Sequence, residues 1–442
     1  MKAVFVHLSD IHFGQEKDGG QVVVDADAKE RLIDDAEAEF KKMGIAATGV
    51  ILTGDIAYSA QPEQYEDAGR WLDRLTLKIG CSRYDIQMVP GNHDIDRESI
   101  TPATKWHLDA IRDQGDKTLD MLLDDKASRE ALFTRFSAYR DFATGYGCEL
   151  DCAGEYSADL AVRLAEGRTL RFVRFNSALI CSRKDDEGKL ILGRRQRTLP
   201  FTDGEEVVVL VHHPLHWFQD SDDAKRYISN RARVLISGHE HFPSLNVSTV
   251  EPGCDLLMLA AGATAPDEAA GKYTYKYNII EFAWDQQSDG LAVTVHPRTW
   301  DDEHKRFMED SPFLEGRSRR NVLASPNFRR APLPLTVALP SDAAREKPTV
   351  EPIANPIAGG GQNVSTNAGE RMLRLRFFRD LTEGQRLKIL FALGAVPDDL
   401  REQLDHSMEQ NLFKRIIKLG KSAELAAAIE AAASKRGNED QA

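Results

Sequence analysis

Eight short apolar runs punctuate residues 1–310: VFVHL, GVILTG, YDIQMVPG, LRFVRFNSALI, VVVLVHHP, RVLISGH, DLLMLAAGA and YNIIEFAW. Each ends abruptly in polar residues or glycine. Runs this short and continuous suit strands buried on both faces, and helical stretches separate them. The alternation predicts an α/β domain over residues 1–310. In such a sheet the loops after the strand C-terminal ends converge on one rim, where sites form.

The remainder divides by pattern. Residues 101–146 turn helical (WHLDAIRDQ, TLDMLLDD, REALFTRFSAYRDF) and read as a helical cap inserted into the domain. Residues 311–369 hold eight prolines and end near Gly359-Gly360-Gly361, so they read as an extended, mobile linker. Residues 370–436 regain helical periodicity and read as a small all-α domain. There Thr382 and Gln385 form a capping box ahead of Leu387, Leu390 and Phe391. Gly394 and Gly420 are helix stops, Pro397 opens a helix and Ser422 caps the last one.

Composition narrows the function classes. No apolar run approaches the roughly 18 residues that span a bilayer, so an integral membrane protein is excluded. The opening MKAVFVHLSD is broken by His7 and Asp10 and reads as a first strand rather than a signal peptide. Five sparse cysteines suit a reducing cytoplasm. The net charge of −13 is uneven: residues 1–310 carry −17, whereas 311–369 and 370–436 carry +3 each. Such an acidic body argues against a broad nucleic-acid-binding face. A nucleotide or a nucleic-acid end remains open as substrate, because cations in a cleft reverse the local field.

Five of the strand ends carry chemistry. Asp10-x-His12 follows the first run, Gly54-Asp55 the second and Gly91-Asn92-His93-Asp94 the third. His212-His213-Pro214 and Gly238-His239-Glu240-His241 follow two later ones. On one rim these supply a mixed set of oxygen and imidazole donors, which suits Mn²⁺, Fe²⁺/Fe³⁺ or Zn²⁺. The set is too rich for one ion. A shared carboxylate, most simply Asp55, would bridge two ions roughly 3.5–4 Å apart. Two such ions hold a hydroxide, lower its pKa and bind phosphate oxygens, which is the chemistry of phosphoester hydrolysis.

D-x-H, G-D, G-N-H-D, H-H-P and G-H-x-H, in this order, resemble the calcineurin-like metallophosphoesterases over about residues 1–300. Phe175-Asn176-Ser177 and Leu192-Gly193 resemble family strands and turns. The resemblance implies a four-layer αββα sandwich of two mixed sheets, with the rim at its end. It implies one ion on Asp10, His12, Asp55 and His241, and a second on Asp55, Asn92, His212 and His239. It implies His93 as general acid, with Asp94 orienting its ring. Spacing alone leaves His212 and His213 open, and the resemblance points to His212. One departure is visible: the family often has a second acidic residue after G-D, where this chain reads Gly54-Asp55-Ile56-Ala57-Tyr58-Ser59.

Other candidates read as structural. His7 lies inside a strand. His107, His296, His304 and His406 read as surface or core residues. Cys148 and Cys152 lack a second pair at zinc spacing. Arg194, Arg195 and Arg197 read as a solvated cluster rather than a phosphate site, whereas His216 could face substrate. Residues 370–436, a helical module behind a linker, are similar in layout to bacterial death-like, effector-associated adaptor domains. That implies docking on a protein partner. The module's charge also allows it to dock on its own acidic body.

Three functions follow. The chain is expected to be a dinuclear metal-dependent phosphoester hydrolase, in the first place a phosphodiesterase. One alternative is an effector of a bacterial conflict or signalling system, acting on a nucleotide or nucleic acid when recruited through residues 370–436. The other is a non-catalytic scaffold, against which the intact donor set argues.

Overall fold

The structure is a computed structural model and describes residues 1–15, 22–251, 253–266, 274–332, 350–352, 368–397 and 404–439. Its described strands are β1 (Lys2–Leu8), β2 (Gly49–Thr53), β3 (Ile86–Val89), β4 (Ser157–Ala165), β5 (Arg168–Arg174), β6 (Glu205–Leu210) and β7 (Ala232–Ser237), then β8 (Ser244–Glu251), β9 (Cys254–Ala260), β10 (Lys276–Asp285), β11 (Gly290–Asp301), β12 (Arg306–Glu309), β13 (Arg320–Leu323) and β14 (Val350–Pro352). They form two mixed seven-stranded sheets. The first runs β12-β11-β10-β1-β2-β3, with β13 also on β11. The second runs β14-β4-β5-β6-β7-β9-β8.

Strand periodicity decides what each face touches. On β1, Ala3 and Phe5 join Phe172, Val208, Val234, Ile236 and Phe282 in a core between the sheets. Val4, Val6 and Leu8 point the other way, into a core with Leu32 and Ala36 of helix Val22–Met43 and Leu72 and Leu75 of helix Pro62–Ile79. Val207 and Val209 of β6 likewise meet Ala224 and Ile228 of helix Ser221–Arg231. Helix, sheet, sheet, helix is the expected four-layer sandwich. His7 is buried on the inter-sheet side, its Nε2 3.0 Å from Thr53 Oγ1, so it is structural.

The stretch 101–146 is helical, with helices Pro102–Gln114, Asp116–Asp124, Lys126–Phe133 and Ser137–Gly145. The arginine cluster is not simply solvated. Arg197 is buried on Asp220 and on Asp116 of this helical stretch, and Arg195 pairs with Asp120 and Asp124. These arginines fasten the inserted helices to the body.

Residues 311–332 differ from the linker expectation. Helix Ser311–Leu314, β13 and helix Pro326–Arg330 pack on the sheets, because Phe313, Leu323 and Phe328 enter the inter-sheet core. β14 adds a backbone-paired edge to β4. The proline count misleads because two of these prolines, Pro312 and Pro326, open short helices, where a missing N–H costs nothing. The rest of the expected linker, 333–349 and 353–367, lies outside the described residues.

Helices Ala368–Asp380, Glu383–Ala392, His406–Lys418 and Ser422–Glu439 bury their own core around Phe377, Phe378, Leu390, Phe413 and Ile416. The Thr382–Gln385 capping box forms, and Gly394 and Gly420 take left-handed φ of 65° and 74° just past their helices. The helix expected from Pro397 falls on 398–403, outside the described residues. The module sits on the body. Arg379 bonds Asp73 at 2.8 and 3.1 Å and Tyr146 Oη at 2.9 Å. Arg386 joins Asp141 (2.9 Å) to Glu409 (2.7 Å), and His406 lies 3.1 Å from Asp141.

No helix among the described residues is long and apolar enough to cross a membrane. None of the five cysteines forms a disulfide.

Candidate metal centre

β1, β2 and β3 are parallel neighbours, as are β6 and β7, so all five motif loops leave at strand C-terminal ends on one rim. The loops leave sharply. Eight described non-glycine residues have positive φ, and five of them are Asp10, His12, Asp55, His239 and His241. Left-handed backbone costs a β-carbon-bearing residue energy, so its concentration here marks a site that surrounding structure holds in place. Two glycines make the crowding possible. A β-carbon on Gly91 would collide with the Asp55 carboxylate, and one on Gly238 with Ser9 Oγ.

The donors converge. Asp55 Oδ2 lies 3.4 Å from His12 Nε2 and 3.4 Å from His212 Nε2. Asp10 Oδ1 lies 3.4 Å from His241 Nε2. His212 Nε2 lies 3.2 Å from Asn92 Oδ1 and 3.2 Å from His239 Nδ1. Asp10, His12 and His241 form one group whose donor atoms all lie within 4.8 Å, and Asp10, Asp55 and His212 form another. All seven expected residues therefore meet.

The surroundings orient them. His12 Nδ1 faces the Ala265 carbonyl at 3.2 Å and His212 Nδ1 the Thr53 carbonyl at 2.7 Å. Each contact turns Nε2 toward the carboxylates, as the outer partners of metal-binding histidines do. Asp10 Oδ2 accepts from Ser9 Oγ and from the His239 N–H, whereas its buried Oδ1 has no hydrogen-bond partner. Burial alone would raise the carboxyl pKa of Asp10 and Asp55, yet facing histidines hold both below the usual range. Burial opposes a charge on His212, but Asp55 and Asp10 push it up to about 9. His239, buried beside that imidazolium, drops to about 3. The two buried carboxylates thus attract positive charge. An orphaned carboxylate oxygen among imidazoles fits divalent cations.

Two expectations change in detail. Asp94 does not face the His93 ring. Its carboxylate accepts the N–H groups of Ile56, Ala57 and Gly91 at 3.2, 3.0 and 2.9 Å and the Tyr65 hydroxyl at 2.9 Å. It therefore ties the β2 loop to the β3 loop. Its pKa rises to about 6, through burial and the Asp55 charge. The partner of His93 is Tyr58: Nδ1 lies 2.7 Å from its carbonyl oxygen, and the rings stack. Burial lowers the His93 pKa, with Asp55 opposing.

His213 turns aside. Its Nδ1 lies 2.9 Å from Ser177 Oγ and its Nε2 3.9 Å from Cys181 Sγ. His216 is about half exposed and pairs with Glu240 at 2.6 Å, outside the donor cluster. Sequence reasoning missed Tyr58, Ser177 and Trp217, whose ring centroid lies 4.2 Å from that of His239. Tyr58 could have been found from its place where the family often has an acidic residue. The carbonyls of Thr53 and Ala265 leave no sequence signal, since any residue supplies a carbonyl.

Comparisons with known proteins fall on the same segments. Residues 3–243 match the sequence model of the calcineurin-like phosphoesterases, and residues 369–431 that of the GTPase-associated adaptor domain. The metallophosphoesterase-like protein YydB of Bacillus subtilis strain 168 is 25% identical over 328 residues, which are 70% of this chain and 62% of that protein. The chain thus spans less than two thirds of that relative's length. A conserved uncharacterized protein from Streptococcus pneumoniae is similar at 11% identity and a TM-score of 0.29, over 73% of this chain and 98% of that one. The calcineurin-like phosphoesterase YfkN from Bacillus subtilis is similar at 11% identity and a TM-score of 0.32, over 73% and 90%.

Proposed function

Since the chain belongs to the calcineurin-like phosphoesterase family, we propose that it hydrolyses phosphodiesters at two divalent cations held on the rim of its sandwich. Asp10, His12, Asp55 and His241 would hold one cation, and Asp55, Asn92, His212 and His239 the other. The observation that carries this reading is Asp55 Oδ2, equidistant at 3.4 Å from the histidines His12 and His212 of the two sets. His212 is preferred to His213 as ligand, because its Nε2 lies 3.4 Å from Asp55 Oδ2 and 3.2 Å from Asn92 Oδ1. When bound, the cations supply Lewis-acid activation of water and neutralise charge on the phosphate.

The chain's own residues do the rest. The Tyr58 carbonyl accepts the Nδ1 proton of His93 and so leaves Nε2 facing the rim, where it can take a proton from the attacking water and, as imidazolium, pass it to the leaving oxygen. The stacked Tyr58 ring limits the swing of that imidazole. Asp94 holds the two loops in register through their backbone N–H groups. Asp55 accepts the His93 N–H at 2.8 Å, so the donor set and the proton donor move as one unit.

A second reading concerns recruitment. The adaptor-domain match at 369–431 supports a hydrolase brought to its target through the helical module; a nucleotide or nucleic-acid end is the substrate class this reading proposes. The test of the hydrolase is turnover by metal-stripped protein with Mn²⁺ added back. The panel holds a phosphodiester, a phosphomonoester, cyclic nucleotides and single-stranded DNA. Mn²⁺-dependent turnover that is fastest on a diester is expected. No turnover with metals demonstrably bound would overturn the reading in favour of a scaffold.

A further inference from the structure

A cleft of about 730 Å³ opens at the seam between body and module, in the size range of small-molecule sites. One wall comes from helices Lys126–Phe133 and Ser137–Gly145 of the body. The other comes from helix His406–Lys418, between His406 and Lys414, with Arg374 of helix Ala368–Asp380.

Its lining is net cationic, with six lysine and arginine side chains against four carboxylates. Two of the acids are paired, Glu130 with Lys126 at 3.8 Å and Glu149 with Arg374 at 3.6 Å. Asp151 accepts the Ala153 N–H and Asp405 caps Met408, and both keep their charge. Three of the cations make no ion pair of their own. Arg129 bonds only the Leu123 carbonyl, and neither it nor Arg140 nor Lys414 pairs with a carboxylate among the described residues. Arg140 Nε is buried without an acceptor. A buried N–H left unsatisfied destabilises the fold, so an outside acceptor would relieve it.

We propose that this cleft binds a phosphorylated small molecule of nucleotide size, its phosphates on Arg129, Arg140 and Lys414. Arginine forks and a lysine point charge are the side chains that recognise phosphate. A body carrying −17 would otherwise repel a polyanion, so this cationic pocket is a local exception. Arg140 belongs to the body and Lys414 to the module, so a ligand that touches both also tightens the docking of one on the other.

The test is calorimetric titration of the full-length protein with inorganic pyrophosphate and with ATP, chelator present so that the rim donors hold no metal. Both probes are expected to bind at one site. Arg140→Ala and Lys414→Ala should each weaken binding by about tenfold, the worth of one charge-assisted hydrogen bond. Both should leave Mn²⁺-dependent turnover unchanged, and Asp55→Asn should leave this binding unchanged. Lys414 is exposed, so its variant decides the matter even if Arg140→Ala lowers the melting temperature. Failure of ATP to bind, or binding that both variants leave unaltered, would overturn the proposal.

Discussion

His93 leans on Tyr58: imidazole Nδ1 lies 2.7 Å from the Tyr58 carbonyl oxygen, and the two rings stack with centroids 5.4 Å apart. The contact links the loop after β3 to the loop after β2. It fixes which nitrogen faces the rim without any second carboxylate. His93→Ala should therefore slow hydrolysis of esters with poor leaving groups by about 10²–10⁴-fold. Nitrophenyl esters, which need little protonation, should be affected far less, and metal content should be unchanged. Equal loss on both ester types would count against proton delivery.

Asp55→Asn keeps a residue that tolerates the left-handed φ of 53° but removes the shared negative charge. Bound metal per chain, read by elemental analysis, should fall clearly below that of the unaltered protein. Turnover should fall by more than about 100-fold, beyond what the loss of an outer partner of a ligand costs. Retention of two metals would remove Asp55 from its bridging place.

Asp94→Asn tests a joint rather than a proton carrier. An amide cannot accept three N–H groups as the carboxylate does, and it puts a donor among them. Stability should drop by about 2–3 kcal/mol in denaturant titration. The pH profile of the remaining activity should keep its shape. A lost limb of that profile would instead make Asp94 a titrating participant.

Glu206 gives the fold a pH dependence. It is fully buried near Arg233, and it accepts the Asn327 N–H at 2.8 Å. Burial pushes its pKa up to about 7, above the ordinary glutamate value. Between roughly pH 4.5 and 7 the folded chain holds this proton and the unfolded chain does not. The stability is full below that window and is lost as pH rises through it, by on the order of 3 kcal/mol. Chemical denaturation across pH should show Glu206→Gln lacking this slope. Identical slopes would show that the carboxyl titrates normally.

Truncation after residue 332 should leave Mn²⁺-dependent turnover of a small artificial diester intact. Truncation after residue 310 should not, because it strips Phe313, Leu323 and Phe328 from the inter-sheet core. Each large core side chain removed costs about 2–5 kcal/mol. Thermal melts of the two truncations decide it, and a stable 310-residue piece would contradict the packing.

The sequence by itself determined an α/β domain with metal donors at its strand ends, and the resemblance of its motifs to a family implied the sandwich and the ligand set. Short continuous apolar runs bounded by polar residues and glycine suit strands buried on both faces, and parallel strands deliver their following loops to one rim. Asp10, His12, Asp55, Asn92, His212, His239 and His241 were legible because metal-donor chemistry resides in side-chain identity. What tertiary structure alone decided depends on groups without such identity. The Tyr58 carbonyl, not Asp94, orients His93, because carbonyl direction follows from φ and ψ and not from residue type. Ser177 lies 36 residues from His213, yet it bonds that ring, while His212 Nε2 comes within 3.4 Å of Asp55. Residues 311–332 read as linker by composition, but three spaced apolar side chains found a preformed core and anchored them. Arg379 and Arg386 read as ordinary helix charges until Asp73, Asp141 and Tyr146 of the body came within hydrogen-bond reach. Local pattern specifies elements and chemistry. Which of two neighbouring side chains comes near a carboxylate, and what a charge pairs with, is settled by distances that exist only after the chain has folded.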